Sequence, residues 1–354
     1  MSAHKLTFES FFEARANGQQ VSHPSCQLAT SALNFSSRAE TLNSERASKS
    51  GEKRPRDSPR SAWRGLEQIP PVPGESVVRN LPKEENPCLC SDSTTYMALQ
   101  GKLALITGCS GGIGQATALA LAIRGCSIAV HYNSAAELAS DLVAELTNLP
   151  GVRAHAFQAD LGDYDSVRAL YAAVVETLGH PDILFNNAGT TGTVVGKRGD
   201  IENVTLDDFE KTWKVNTGSS FLLTQLCVPH MVTQKYGRVV FCSSMFLIVH
   251  RPGIGGIIGP HYASAKSALH GLVHWLAARY AKDGITCNAV APALIEDTTM
   301  FSHPSEELKA RQSIPIGRFG KPHEIASVVE MLVTNEYLTN KILVVDGGMT
   351  PSAF

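Results

Sequence analysis

No stretch of this chain approaches the roughly 20 consecutive apolar residues that a membrane span requires. Nor is there an excess of charge of one sign: 31 Lys and Arg stand against 33 Asp and Glu, a net charge of −2. A membrane segment and a nucleic-acid partner are therefore not expected. The eight cysteines (Cys26, Cys88, Cys90, Cys109, Cys126, Cys227, Cys242 and Cys287) include no C-x-x-C pair, and several lie inside apolar runs such as "LITGCS" and "VVFCSS". That usage suits buried free thiols in a reducing, cytoplasmic setting better than a disulfide framework. The histidines show no metal-ligand spacing, so no metal is expected.

Residues 1–96 also lack a sustained apolar period. They are rich in Ser, Arg, Glu and Pro, as in "SSRAETLNSERASKSGEKRPRDSPRSAWRG", and cannot bury enough surface to offset ordering entropy. They are expected to be a disordered extension. Glu9, Glu13, Glu40 and Glu45 interrupt the basic residues that a mitochondrial transit peptide would need. Patterned sequence begins at Met97 with "MALQGKLALITG". One reading makes Met97 the natural start and the preceding segment a gene-model artefact or a dispensable leader.

From residue 97 to 354, short apolar runs alternate with longer amphipathic stretches. The expected strands are 103–107, 127–132, 153–158, 182–186, 237–242, 285–290 and 342–345, separated by helical patterns such as 113–124, 136–147, 164–178, 207–233 and 262–281. Continuous Val/Ile/Leu strands between helices of this length predict a parallel sheet covered on both faces. Right-handed crossovers then give a single-domain α/β fold, a Rossmann-type doubly wound sheet of about seven strands.

The first strand runs into "TGCSGGIG" and then a helix. Gly108, Gly112 and Gly114 allow positive φ and close backbone approach there. The helix start beyond them offers N–H groups to a diphosphate. At the end of the second strand, where an acid would bond the ribose 2′-hydroxyl of NAD, the chain reads His131, Tyr132, Asn133 and Ser134. Without that carboxylate, and with the polar groups of Asn133 and Ser134 free to meet a phosphate, NADP(H) is favoured over NAD(H). No Arg or Lys stands in the turn or at this strand end.

Tyr262 and Lys266, in "YASAK", lie four apart on an expected helix and so share a face. An ammonium beside a phenol is expected to pull its pKa down from about 10. Such a pair is common on solvated helices and signifies little alone.

Taken in order, these elements resemble the short-chain dehydrogenase/reductase family over about residues 99–348. The resemblance covers "TGCSGGIG" (with Ser110, Gly111 and Ile113 in the turn), "ADLGD", "NNAG", "WKVNTGS", "CSS", "YASAK", "NAVAPALI" and "VVDGG". It implies that Asp160 and Leu161 meet the adenine ring and that Asn187, Ala188 and Gly189 line the nicotinamide side, with Pro292 and Ile295 near the nicotinamide amide. It implies further that Tyr262 is the general acid/base and that Lys266 lowers its pKa and bonds the nicotinamide ribose. Ser244 would bond the substrate oxygen, with Ser243 as the alternative, and Asn216 would hold a proton-relay water.

Ser244 precedes Tyr262 by 18 residues, more than is usual in the family, so the intervening segment resembles an extended loop around "IVHRP". "APA" (291–293) stands where the family has Pro-Gly, and 296–316 resembles a substrate lid. The implied activity is reduction of a ketone to a secondary alcohol, or the reverse, most like 3-oxoacyl-[acyl-carrier-protein] reductases. The substrate would then be an acyl-thioester or small-molecule ketone. Lys235 and Arg238 would supply part of a basic mouth for an acidic carrier, weakened by Asp283. Another alcohol or sugar dehydrogenase, a secondary-metabolite ketoreductase and a non-catalytic nucleotide-sensing scaffold are the other readings. Apolar residues on 207–233 and 262–281, including Leu269, Leu272, Trp275 and Leu276, point to a homodimer or homotetramer, the arrangement the family shows.

Overall fold

The computed structural model describes residues 98–193, 200–245, 259–300 and 314–351. The N-terminal extension, the loop around "IVHRP" and most of the expected lid lie outside the described residues. Seven strands form one sheet: β1 (Leu103–Ile106), β2 (Ser127–Tyr132), β3 (Ala154–Gln158), β4 (Ile183–Asn186), β5 (Gly237–Cys242), β6 (Ile285–Pro292) and β7 (Ile342–Val345). Their order is β3-β2-β1-β4-β5-β6-β7, and every pairing is parallel.

Alternation along each strand assigns its side chains to two layers. Ala104 and Ile106 of β1, Ile183 and Phe185 of β4, and Val240 of β5 face one side. There they meet helices α1 (Gly112–Ile123) and α2 (Ala136–Thr147) through Ala118, Leu121, Leu142 and Leu146. Leu105, Leu184 and Phe241 face the other side. That face is covered by α3 (Tyr164–Thr177), by α5 (Ser219–Gln234) and by α6 (Pro260–Tyr280), through Val167, Leu170, Leu223, Met231, Leu269 and Val273. Each buried Leu or Phe removed from water contributes roughly 1.5–3 kcal/mol before entropy is counted. Strands buried on both faces explain why their sequences are uninterrupted apolar runs.

The 207–233 pattern forms three pieces rather than one helix: α4 (Leu206–Trp213), a π-helical turn (Lys214–Gly218) and α5. A final helix, α7 (Pro322–Thr334), was not anticipated, although its start is written in the sequence. Pro322 occupies the first turn, and the Glu324 carboxylate accepts the Lys321 N–H at 2.8 Å. Ile325, Val329, Leu332 and Val333 then fill its buried face.

Among the described residues no helix is long and apolar enough to cross a membrane. Cys109, Cys126, Cys227, Cys242 and Cys287 are buried and free. Burial pushes each thiol up, Cys227 to about 12, which leaves them un-ionised and inert.

Candidate functional site

In a doubly wound sheet the ligand cleft lies beyond the carboxyl ends of the strands, where the strand order reverses. Here the reversal falls between β1, which continues to β2, and β4. A cleft of about 570 Å³ opens at this point.

The glycine turn forms one end of the cleft. Gly108 has φ +61°, and a Cβ added there would lie 3.0 Å from Ala188 Cα. A Cβ on Gly114 would approach the Gly108 carbonyl to 2.5 Å, and one on Gly112 would collide with the Asp297 carbonyl. The chain can therefore pass only as glycine at these points. Gly111 caps α1 with no side-chain hydrogen bond, and no acid occupies the first helical turn. That helix start, with Ser110 and Ile113, faces the cleft, and its open N–H groups suit a diphosphate. Thr107, just before the turn, accepts the N–H groups of Asn187 (2.9 Å) and Ala188 (3.0 Å) through its hydroxyl, tying "TG" to "NNAG". Asn133, Ser134, Asp160 and Leu161 line the same end.

His131 is a residue that the sequence reading passed over except as a missing acid. It is 2% exposed, and its Nδ1 accepts the Gly108 N–H at 2.9 Å. Nε2 therefore carries the ring proton and donates to the Ala159 carbonyl at 3.1 Å. Burial lowers its pKa from 6.5 to about 4. The unfolded chain thus takes up a proton between those values that the folded chain refuses, so stability falls as pH drops from 6.5 to 4 and is unaffected above 6.5. We predict that His131→Asn removes up to about 3 kcal/mol of this acid-side loss, read from urea unfolding at pH 7 and pH 4.5. An unchanged pH slope would contradict the burial of a neutral ring.

The other end is built from α6, the π turn and the ends of β4 and β5. Tyr262 is 6% exposed and Lys266 2%, so this pair is not a solvated-helix coincidence. The expectation that Lys266 lowers the tyrosine pKa is corrected here. Burial pushes the Tyr262 phenol up, Cys242 adds to the rise, and only a hydrogen bond with Ser244 opposes it. The ammonium lies 5.9 Å from the Tyr262 ring centre and donates to the Cys242 carbonyl at 2.8 Å. Burial also lowers the pKa of Lys266. Desolvation outweighs the charge because the ammonium is turned toward the main chain of β5.

Ser243 and Ser244 both line the cleft, yet they face different partners. Ser243 Oγ lies 2.8 Å from His270 Nε2, whereas Ser244 bonds the phenol. Asn216 stands in the π turn, a distortion that recurs at functional sites, and is wholly buried. Its amide donates to the carbonyls of Thr190 (2.8 Å) and Thr212 (2.9 Å), and its Oδ1 accepts the Thr190 N–H (3.2 Å). Gly189 sits between these groups: a Cβ there would lie 2.7 Å from Asn216 Oδ1 and 2.9 Å from Lys266 Nζ. Pro292, Ala293 and Ile295 close the floor, and Thr298, Thr299 and Met300 begin the lid side.

His261, beside Tyr262, is structural: it is buried and its Nε2 donates to the Thr191 carbonyl at 2.9 Å. A basic mouth built on Lys235 and Arg238 is not found. Arg238 is 3% exposed at the amino end of β5, opposite the cleft, and bonds the carbonyls of Val333, Gly237 and Gly284. Lys235 pairs with Asp283 at 2.7 Å at that same end.

A family model described as enoyl-(acyl carrier protein) reductase matches residues 108–350. The 3-oxoacyl-[acyl-carrier-protein] reductase FabG of Aquifex aeolicus is 36% identical over 256 residues, 71% of this chain and 98% of that relative. The L-rhamnose 1-dehydrogenase (NADP(+)) of Thermoplasma acidophilum is 36% identical over 258 residues, 71% of this chain and 96% of that one. Two solved structures are also similar. A blue fluorescent protein from a metagenomic library, in complex with NADPH, has a TM-score of 0.62 and 36% identity, covering 72% of this chain and all of its own. A short-chain dehydrogenase/reductase from Serratia marcescens has a TM-score of 0.63 and 32% identity, covering 71% and 98%. Together with the glycine turn and the buried Tyr262–Lys266 pair, these matches show that the chain belongs to the short-chain dehydrogenase/reductase family, oxidoreductases acting on CH–OH and C=O groups.

Proposed function

We propose that this protein is an NADP(H)-dependent ketone reductase with Tyr262 as its general acid. The observation that carries the reading is a buried phenol, hydrogen-bonded to Ser244, in a cleft whose far end is an uncapped helix start behind a glycine turn. Bound reduced nicotinamide supplies the hydride, as the cofactor's own chemistry. Gly108, Ser110, Gly111, Gly112, Ile113 and Gly114 hold the diphosphate, and Asp160 and Leu161 flank the adenine. Asn133 and Ser134 meet the 2′-phosphate at a strand end that carries no carboxylate. Asn187, Ala188, Gly189, Pro292 and Ile295 frame the nicotinamide.

The protein's part is positioning and proton supply. Ser244 and Tyr262 together bond the substrate oxygen, which fixes the carbonyl and stabilises charge developing on it. A phenol whose pKa is raised by burial keeps its proton at neutral pH, which is the form that reduction consumes. Lys266, its Nζ held on the Cys242 carbonyl, lines the cleft one helical turn beyond the phenol, and Asn216 anchors the wall from Thr190 onward while holding the relay water.

A 3-oxoacyl thioester is the leading substrate, supported by the FabG relatives. A small alcohol or sugar is the second reading, favoured by the rhamnose dehydrogenase at the same identity and by the absence of Lys235 and Arg238 from the cleft mouth. Exposed Phe221 (51%) on α5 and Trp275 (62%) on α6 support a homodimer or homotetramer across these helices. The test is initial-rate oxidation of NADPH and NADH by the full chain with 3-oxoacyl thioesters and simple ketones, and reduction of NADP⁺ with L-rhamnose. We expect NADPH oxidation with thioesters; turnover confined to the sugar would transfer the assignment to the second reading.

A further inference from the structure

We propose that His131 is a positioning residue for the adenosine-diphosphate half of the cofactor, tying the diphosphate-binding turn to the adenine end of the cleft. The inference rests on the dinucleotide reading above and names a residue on which that site depends. The imidazole bridges two segments that are not otherwise adjacent in sequence. Its Nδ1 accepts the N–H of Gly108, the glycine held at φ +61°. Its Nε2 donates to the carbonyl of Ala159, one residue before Asp160. The main chain reinforces both ends: the Cys109 N–H donates to the His131 carbonyl at 2.8 Å, and the Ala159 N–H donates to the Tyr132 carbonyl at 3.0 Å.

The spacing between the glycine turn and the Asp160–Leu161 corner is thus set by one rigid ring, 2% exposed, in the wall of the cleft. Only a neutral imidazole accepts at one end and donates at the other. A carboxylate here would accept from Gly108 but face the Ala159 carbonyl with no proton to give. An alanine would leave the Gly108 N–H and the Ala159 carbonyl without their partner, at the cost of unsatisfied buried groups. The turn would then be free to shift away from the position the diphosphate needs.

The test uses the full chain and three variants: His131→Ala, His131→Asn and His131→Gln. Calorimetry reads NADP⁺ affinity, and steady-state rates read the KM for NADPH and kcat at saturating NADPH. Asparagine places an acceptor where Nδ1 stands and so keeps the Gly108 bond, whereas glutamine reaches only toward Ala159. We expect His131→Ala to weaken NADP⁺ binding and raise the NADPH KM about tenfold, with kcat within twofold of the parent. His131→Asn should recover most of the affinity and His131→Gln little of it. Unchanged affinity in His131→Ala would overturn the proposal. So would a fall in kcat matching the loss of affinity, or equal behaviour of all three variants, because a merely structural role predicts those results. If the parent chain binds NADP⁺ but reduces no ketone, the reductase reading falls while the calorimetric comparison still decides the role of His131. If the parent binds no dinucleotide, both fall.

Discussion

Tyr262→Phe is expected to lower kcat for ketone reduction by between about a hundredfold and ten-thousandfold, the range a positioned general acid contributes. NADP⁺ affinity should stay within about threefold, because the substitution removes one hydroxyl and leaves the diphosphate end untouched. The ring is 6% exposed and packed, so phenylalanine preserves its volume and the fold. Initial rates and calorimetry on the same preparation separate the two effects. The hydroxyl's environment adds a further sign. Burial raises the phenol pKa, Cys242 reinforces the rise and the Ser244 hydrogen bond only partly opposes it. The proton is therefore retained through the neutral range, and reduction should not slow on passing from mildly acidic to mildly alkaline buffer. A rate retained in Tyr262→Phe would remove the phenol from the chemistry.

Gly189→Ala is expected to be nearly as damaging although no reacting group is deleted. Its Cβ would lie 2.7 Å from Asn216 Oδ1 and 2.9 Å from Lys266 Nζ. Neither neighbour yields easily: the Asn216 amide is held by three main-chain hydrogen bonds, and Lys266 Nζ is fixed on the Cys242 carbonyl. At these separations one of them must shift, and moving either moves the wall opposite Tyr262. Misplacement on the ångström scale costs about a hundredfold in rate, and overpacking costs about 1–3 kcal/mol in stability. A fall of about a hundredfold in kcat/KM with a folded protein by circular dichroism is the expected result. Unaltered kinetics would show that Asn216 and Lys266 are not spatially constrained.

Much of the fold was legible because the inner strands of a parallel sheet, buried on both faces, are written as unbroken apolar runs. Ser127–Tyr132 and Gly237–Cys242 carry the expected bounds, as does the partly exposed edge strand Ile342–Val345. The division of 207–233 was not legible. A single π turn inserts one residue into a helical phase, and the surrounding apolar pattern is too continuous to reveal the slip. Helix α7 was readable from Pro322, Glu324 and the Ile325/Val329/Leu332 spacing, yet it is not among the expected helices.

At the site, spacing placed Tyr262 and Lys266 on one helix face but said nothing of burial, and burial reverses the expected direction of the tyrosine shift. Arg238 looked like a surface charge because arginine is seldom fully buried unless paired. In the fold its guanidinium caps three carbonyls and pairs with Glu336 at 3.0 Å, far from the cleft. His131 was invisible as a strut because its two partners, Gly108 and Ala159, are brought together only by the sheet order.

The central claim is that hydride passes to a carbonyl held by Ser244 and Tyr262 in this cleft. Reduction of a 3-oxoacyl thioester with NADPH carrying deuterium at both hydrogen positions of the nicotinamide C4 tests it directly, with the product read by mass spectrometry and NMR. The predicted result is deuterium on the carbinol carbon in the parent protein, with product formation at least about a hundredfold slower in Tyr262→Phe. Product that lacks the label, or labelled product formed equally fast without the hydroxyl, would contradict it.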